Sequence, residues 1–202
     1  MSRPHVCPWW GGYFIDNPLR RLLHNPQRIV APYLRDGMTV MDFGCGMGFF
    51  SIAMARLIGP GGMVIAVDVQ PQMLAVLRRR AEKAGVGQQI RTHLCRPNSL
   101  GINEPVDFVL AFYAAHEVPD LPRLFRELYQ CLRPQCSMLL VEPIIHVTAA
   151  RFRQMLASAE QLGLLRGSAP RVRLSHSALL TKATSSPALP SSPPTCTANP
   201  AL

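Results

Sequence analysis

Residues 40–51 read V-M-D-F-G-C-G-M-G-F-F-S, which places Gly44, Gly46 and Gly48 at alternate positions between an apolar run and a helix-like stretch. Glycines let the backbone turn sharply and let a ligand come close to the main chain. A helix that follows such a loop offers unpaired N–H groups and the positive end of its dipole. The pattern points to a nucleotide-type ligand, and its neighbours narrow the choice. A dinucleotide fingerprint needs a glycine three places after Gly46, where Phe49 stands, and a phosphate-binding P-loop needs a lysine that is absent. Asp42, just ahead of the loop, would repel a pyrophosphate and suits a ligand carrying an ammonium group. Asp68 closes the next apolar run, where a carboxylate can accept hydrogen bonds from two ribose hydroxyls. The plainer reading makes both residues ordinary strand-end acids.

These residues need a scaffold, and the hydrophobic pattern supplies one. Apolar runs at Met38–Phe43, Met63–Val67, Ile90–Leu94, Val106–Phe112 and Ser137–Val141 read as buried strands. Between them lie helical stretches: Phe49–Ile58, a segment opened by Pro71 and ended at Gly85, and one opened by Asp120 and Pro122. A further helix spans about 148–162 and is capped by Gly163. Leu164-Leu165 and a run near Val172–Leu180 suit a closing hairpin. Strands alternating with helices imply βαβ units. The expected fold is α/β, a Rossmann-like three-layer sandwich with a mostly parallel seven-stranded sheet and an antiparallel C-terminal hairpin. Open sheets of this kind bind ligands at the carboxyl ends of their strands, where the glycine loop falls.

From about Ile29 to Lys182 the sequence resembles the class I S-adenosylmethionine (SAM)-dependent methyltransferases, especially the small group that includes quinone-biosynthesis enzymes. The resemblance implies SAM as cofactor. It implies that the loop of Asp42, Gly44, Cys45, Gly46 and Gly48 holds the methionine part and that Asp68 binds the ribose. Val69 and Met73 would then lie near the adenine. After strand three the family often has an acid that meets the adenine amino group. The matching stretch is Arg96-Pro97-Asn98-Ser99-Leu100, where Asn98, beside Ser99, stands in with an amide oxygen. Leu132-Arg133-Pro134 looks like the family's turn into strand five, although the usual Gly-Gly is replaced by Gln135-Cys136.

Methyl transfer demands little of a protein beyond aligning the nucleophile and screening water. A general base is needed only when the nucleophile still carries a proton. Candidates lie just beyond strands four and five: His116, as base or scaffold, and Glu142, as base or strand-end acid. His146 reads as a loop or cap residue. Phe112, Tyr113, Val118, Ile144 and Ile145 favour an apolar or aromatic small-molecule acceptor. The chain lacks the Asn/Asp-Pro-Pro-Tyr/Phe of amino-methylating nucleic-acid enzymes and the Pro-Cys of cytosine-ring enzymes. RNA or protein methylation, or SAM binding without catalysis, are the alternative readings.

The chain's 202 residues fit one domain, and 48% apolar residues can build a core. Three regions are expected: 1–28, whose Pro8-Trp9-Trp10-Gly11-Gly12-Tyr13-Phe14 suits a lid or a hydrophobic plug; 29–183, the methyltransferase-like domain; and 184–202, a disordered tail. Ser185–Leu202 contains five prolines and no charged side chain. The net charge of +9 is scattered, and nineteen of the twenty-one basic residues are arginines, which argues against nucleic acid as partner. No apolar run is long enough to span a bilayer, and no signal sequence is evident, so a cytoplasmic protein with reduced cysteines is expected. No metal-ligand spacing occurs.

Overall fold

A computed structural model describes residues 24–184; all but the last five residues of the segment 1–28, expected as a lid or a plug, and all but the first residue of the tail expected over 184–202 lie outside the described residues. Within them the elements are α1 (Pro26–Val30), β1 (Thr39–Phe43), α2 (Phe49–Ile58), β2 (Met63–Asp68), α3 (Pro71–Lys83), β3 (Ile90–Leu94), β4 (Val106–Phe112), α4 (Leu121–Cys131), β5 (Leu132–Pro143), α5 (Ala149–Glu160), β6 (Leu164–Gly167) and β7 (Ser175–Lys182). The helices start where side-chain oxygens can take their first amides. Asn25, Asp120 and Thr148 accept from Arg28, Arg123 and Arg151, and proline opens α1, α3 and α4's first turn.

The strand order is β3-β2-β1-β4-β5-β7-β6. The first five strands are parallel, and β7 runs antiparallel to both β5 and β6, so the expected fold is present. β1, β2 and β4 are buried along nearly their whole length, as parallel strands covered on both faces must be. Val40, Val64 and Phe108 meet α1, α2 and α3 through Val30, Met54 and Leu77. Met41, Ile65 and Val109 meet α4 and α5 through Phe125 and Leu156. The chain builds outward from β1 to β3, then crosses back to place β4 beside β1. The loops after β1 and β4 therefore diverge above the same pair of strands and open a crevice there.

β5 is longer than the pattern suggests. It begins directly at the end of α4, and Leu132 pairs with Val106 before the register slips so that Ser137 faces Phe108. Gln135, standing where the resemblance leads one to expect glycine, has φ +63 within this irregularity. Arg133 pairs with Asp107, and Lys182 Nζ donates to the carbonyls of Tyr129 and Leu132 at 2.8 and 2.7 Å. These anchors hold the junction closed without the glycine pair. At its other end β5 runs through Glu142 to Pro143, so Glu142 belongs to the strand rather than to the loop beyond it.

Candidate cofactor and acceptor site

The glycine loop is tied to β2 before any ligand is considered. Gly44 and Cys45 both donate their amides to Val67 O, at 2.9 and 3.0 Å. Gly44 has φ +70, and a Cβ there would stand 2.3 Å from Ala114 Cβ, so the loop after β1 can lie against the loop after β4 only if this position is glycine. Gly46 is different: its φ is +52, yet a Cβ would meet no atom of the described residues within 4 Å. The main chain at Gly46 is thus open to an approaching ligand. Cys45 is buried, and its thiol is held well above its usual range, first by that burial and then by Asp42 and Asp68. It can serve a ligand only through its backbone.

Two acids flank this loop. Asp68, at the end of β2, accepts the Gly46 amide on Oδ2 and the Gln70 amide on Oδ1, both at 2.9 Å. Burial raises its pKa, and the amides of Gln70, Gly46 and Val69 partly offset this by favouring the charged form. Each carboxylate oxygen keeps further acceptor capacity. Asp42, inside β1, is buried and accepts from Ser51 Oγ at 2.5 Å. Ser51 lies in the first turn of α2, so this bond couples the strand before the loop to the helix after it.

Beside Asp68 lies a cleft between the turn after β3 and the start of α4. Its walls include Phe43, Val69, Asn98, Ser99, Leu100 and Val118, and it encloses about 340 Å³ counting its open mouth. Arg96 and Ser99 exchange both backbone hydrogen bonds, at 3.0 and 3.1 Å, which puts Pro97 and Asn98 at the tip of a tight turn. Asn98 is exposed there. Met73 is buried in the first turn of α3 and is not one of the cleft's walls.

The two candidate catalytic residues meet. His116 Nδ1 stands 2.5 Å from Glu142 Oε2, and Glu142 Oε1 accepts the Ala115 amide at 3.0 Å. Glu142 is fully buried, whereas the His116 side chain is 16% exposed. His146 stacks on His116 at 5.8 Å, and Arg151 reaches the His116 carbonyl at 3.4 Å. Next to this pair Tyr113 adopts φ +60, an uncommon conformation for a side chain of its size. Its hydroxyl lies 2.6 Å from Ser175 Oγ and 3.3 Å from His24 Nε2. Phe112 is buried behind it, while Ile144 and Ile145 stand exposed at the rim.

Residues 40–135, the stretch from β1 through the glycine loop to the irregularity in β5, match the family model described as "Methyltransferase domain". Over these residues the chain is similar to methyltransferase domains, and its fold is that of the class I SAM-dependent methyltransferases. Its similarity to the ubiquinone biosynthesis O-methyltransferase of Xanthomonas campestris pv. campestris is 30% identity over 162 residues, 78% of this chain and 64% of that protein. The arsenite methyltransferase of Halobacterium salinarum is 32% identical over 111 residues, 54% of this chain and 28% of that protein. The chain thus spans less than two thirds of the length of either relative. The fold is shared with a SAM-dependent methyltransferase from Aquifex aeolicus, at TM-score 0.78 and 21% identity, covering 87% of this chain and 99% of that one.

Sequence reasoning named His116 and Glu142 separately and missed that they form a pair. β4 and β5 are neighbours, so residues at their carboxyl ends must come together, and that signal was available. Ser51 and the cluster of His24, Tyr113 and Ser175 were also missed. The Ser51 contact follows from a strand-loop-helix turn, which leaves a residue nine places after Asp42 close to it. His24 and Ser175 lie 62 or more residues from Tyr113 in the chain, and no local pattern joins them. No helix among the described residues is long and apolar enough to cross a membrane, and no group of three potential metal ligands occurs among them.

Proposed function

We propose that this chain transfers a methyl group from SAM to a hydroxyl group of an apolar small molecule, and that His116 takes the hydroxyl proton. The single observation that carries the reading is the His116–Glu142 pair at 2.5 Å, set at the carboxyl ends of two adjacent strands beside the glycine loop. The residues present fit SAM: the open main chain over Gly46, the acceptor oxygens of Asp68 and a cleft with apolar walls beside it. The backbone at Gly44, Cys45, Gly46 and Gly48 would hold its methionine part, with Asp42 supplying negative charge below. Asp68 would accept from the ribose hydroxyls. Val69 and Ser99 would border the adenine, Met73 would support that wall from α3, and the Asn98 amide oxygen would meet the amino group. SAM, when bound, supplies the methyl group on a sulfonium, a leaving group that needs no further activation.

The protein's own task is then to handle one proton. Glu142 is held by the Ala115 amide and accepts from Nδ1 of His116, which fixes the ring and leaves Nε2 as the atom able to accept. The acceptor's O–H proton would pass to Nε2 with its electron pair staying on oxygen; SAM, when bound, would supply the methyl group to that oxygen and keep the C–S electron pair on sulfur. The buried carboxylate stabilises the imidazolium that results. Hydroxyl methylation agrees with what the name of the Xanthomonas relative says of that protein. Burial pushes the thiols of Cys95 and Cys131 up to about 11 and holds Cys45 well above its usual range, which argues against these three cysteines as thiolate ligands for an arsenic species.

The test is transfer of a labelled methyl group from SAM to a panel of catechols, hydroquinones and charged phenols, with wild type and His116→Gln. Turnover of apolar phenols that drops at least ~100-fold in the variant is the expected result. Turnover confined to highly charged acceptors, or full activity in His116→Gln, would contradict the reading.

A further inference from the structure

Two loops meet at the rim that carries His116 and Glu142: one follows β5, the other precedes β7. Ile144 N–H donates to Leu174 O at 3.1 Å between them. Together they lift three large aliphatic side chains into solvent, Ile144 at 45%, Ile145 at 80% and Leu174 at 60% exposure. Leu174 is presented from φ +54, a left-handed conformation that disfavours branched apolar residues. Among the described residues only two other large apolar side chains are exposed, Leu94 and Leu165, so the rim concentrates them.

On the two loops and the elements they join positive charge prevails, while the neighbouring loop after β4 carries the half-buried Glu117 and the exposed Asp120. From residue 143 to 184 the sequence holds five arginines and one lysine against a single acid, Glu160. That acid is paired with Arg166 at 2.9 Å. Arg171 and Arg173 flank the Leu174 tip and are exposed, as is Arg151 at the start of α5. Glu142, the nearest acid in β5, is buried against His116. Exposed aliphatic tips with exposed arginines next to them in the chain are the composition of a surface that inserts shallowly into an anionic bilayer. A second copy of the rim would bring like charges together. Nucleic acid would call for aromatic stacking faces at the tips, and they are aliphatic.

We propose that this rim seats the protein on an anionic lipid bilayer, with Ile144, Ile145 and Leu174 entering the boundary between headgroups and acyl chains. Arg171 and Arg173 meet the lipid phosphates. The seat shares an end of the sheet with the His116–Glu142 pair, so a lipid-borne acceptor would reach that pair without crossing water. This last consequence rests on the proposed methyl transfer; the seat itself does not.

The test is flotation of the full chain with vesicles of phosphatidylcholine alone and of phosphatidylcholine mixed with phosphatidylglycerol, at low and physiological salt. Wild type is expected on the phosphatidylglycerol vesicles, less so at higher salt. Ile145→Ser should lower the partition about tenfold. Arg171→Gln with Arg173→Gln should lower it about 25-fold, or about fivefold for each charge. Each variant should retain the thermal shift with SAM, which separates loss of the seat from loss of the fold. Trp9 and Trp10 are the only tryptophans, so their emission reports on the N-terminal segment alone. A wild type that ignores anionic vesicles would overturn the proposal. So would vesicle binding that shifts tryptophan emission and is indifferent to Ile145→Ser, which would give the role to the N-terminal segment. Polyuridylate that displaces the vesicles regardless of Ile145, or a dimer dissolved by Ile145→Glu without any vesicle binding, would overturn it equally. Vesicle binding by a chain that shows no SAM shift would support the seat and remove the methyltransferase reading, so the two can fail separately.

Discussion

His116 Nδ1 and Glu142 Oε2 stand 2.5 Å apart, and the other oxygen of Glu142 holds the amide of Ala115, the residue just before the histidine. One buried carboxylate thus fixes both the backbone and the ring of the same short turn. Glu142→Gln keeps an oxygen for the Ala115 amide and removes the charge that supports an imidazolium. The rate of methyl transfer to a hydroxyl is expected to fall about 100- to 1,000-fold, with SAM affinity unchanged. Steady-state kinetics on an accepted phenol checks this, and an equal loss of SAM binding would show that the pair holds the loop instead.

Gly44 and Gly46 should respond differently to one added methyl. At Gly44 the Cβ would collide with Ala114, so Gly44→Ala is expected to cost about 2–3 kcal/mol of stability. At Gly46 the Cβ meets no atom of the described residues, so Gly46→Ala should cost only ~1 kcal/mol through its positive φ. Its SAM affinity should fall by far more than its stability. Urea unfolding beside SAM calorimetry on the two variants distinguishes these outcomes.

Ser51→Ala removes the donor to a buried aspartate. The expected loss is about 1.5–3 kcal/mol, because the bond is to a charged group that stays buried. A loss near zero in urea unfolding would mean that water replaces the hydroxyl.

Burial raises the pKa of Asp68 above the usual aspartate value of 3.8, and this has two readouts of opposite sense. For folding without ligand, a raised folded value means the native state binds the extra proton. Asp68's contribution is complete below the unfolded pKa and is lost as pH rises through the folded one. For binding, the ribose hydroxyls need the charged carboxylate as acceptor, so SAM affinity should start to fall at a pH above that of an ordinary aspartate. Unfolding and binding measured across the acidic range, with Asp68→Asn as control, should show both slopes in wild type and neither in the variant.

The parts of the fold written in short-range patterns were legible in the sequence. β1, β2 and β4 are buried apolar runs, and the proline and Asx signals mark where helices begin. The boundary that slipped was that of β5. There the helix passes into the strand with no intervening polar turn, and long-range anchors from Asp107 and Lys182 substitute for a glycine pair. The site divides in the same way. The acids and glycines of the loop are consecutive in the chain and announce themselves. The meeting of His24, Tyr113 and Ser175 depends on the tertiary placement of β7 beside β5, and the outward turn of Ile144 and Ile145 depends on the hydrogen bond to Leu174.

The measurement closest to the centre is thermal unfolding with and without SAM, for wild type and Asp68→Ala. Ligand at about 100 times its dissociation constant adds roughly 2.7 kcal/mol, which raises the melting temperature of a domain this size by about 5–10 °C. A rise of that order in wild type, absent from a folded Asp68→Ala, is the expected result. A well-folded wild type whose melting temperature does not move would contradict SAM binding at the glycine loop, and an equal rise in both proteins would place the ligand away from Asp68.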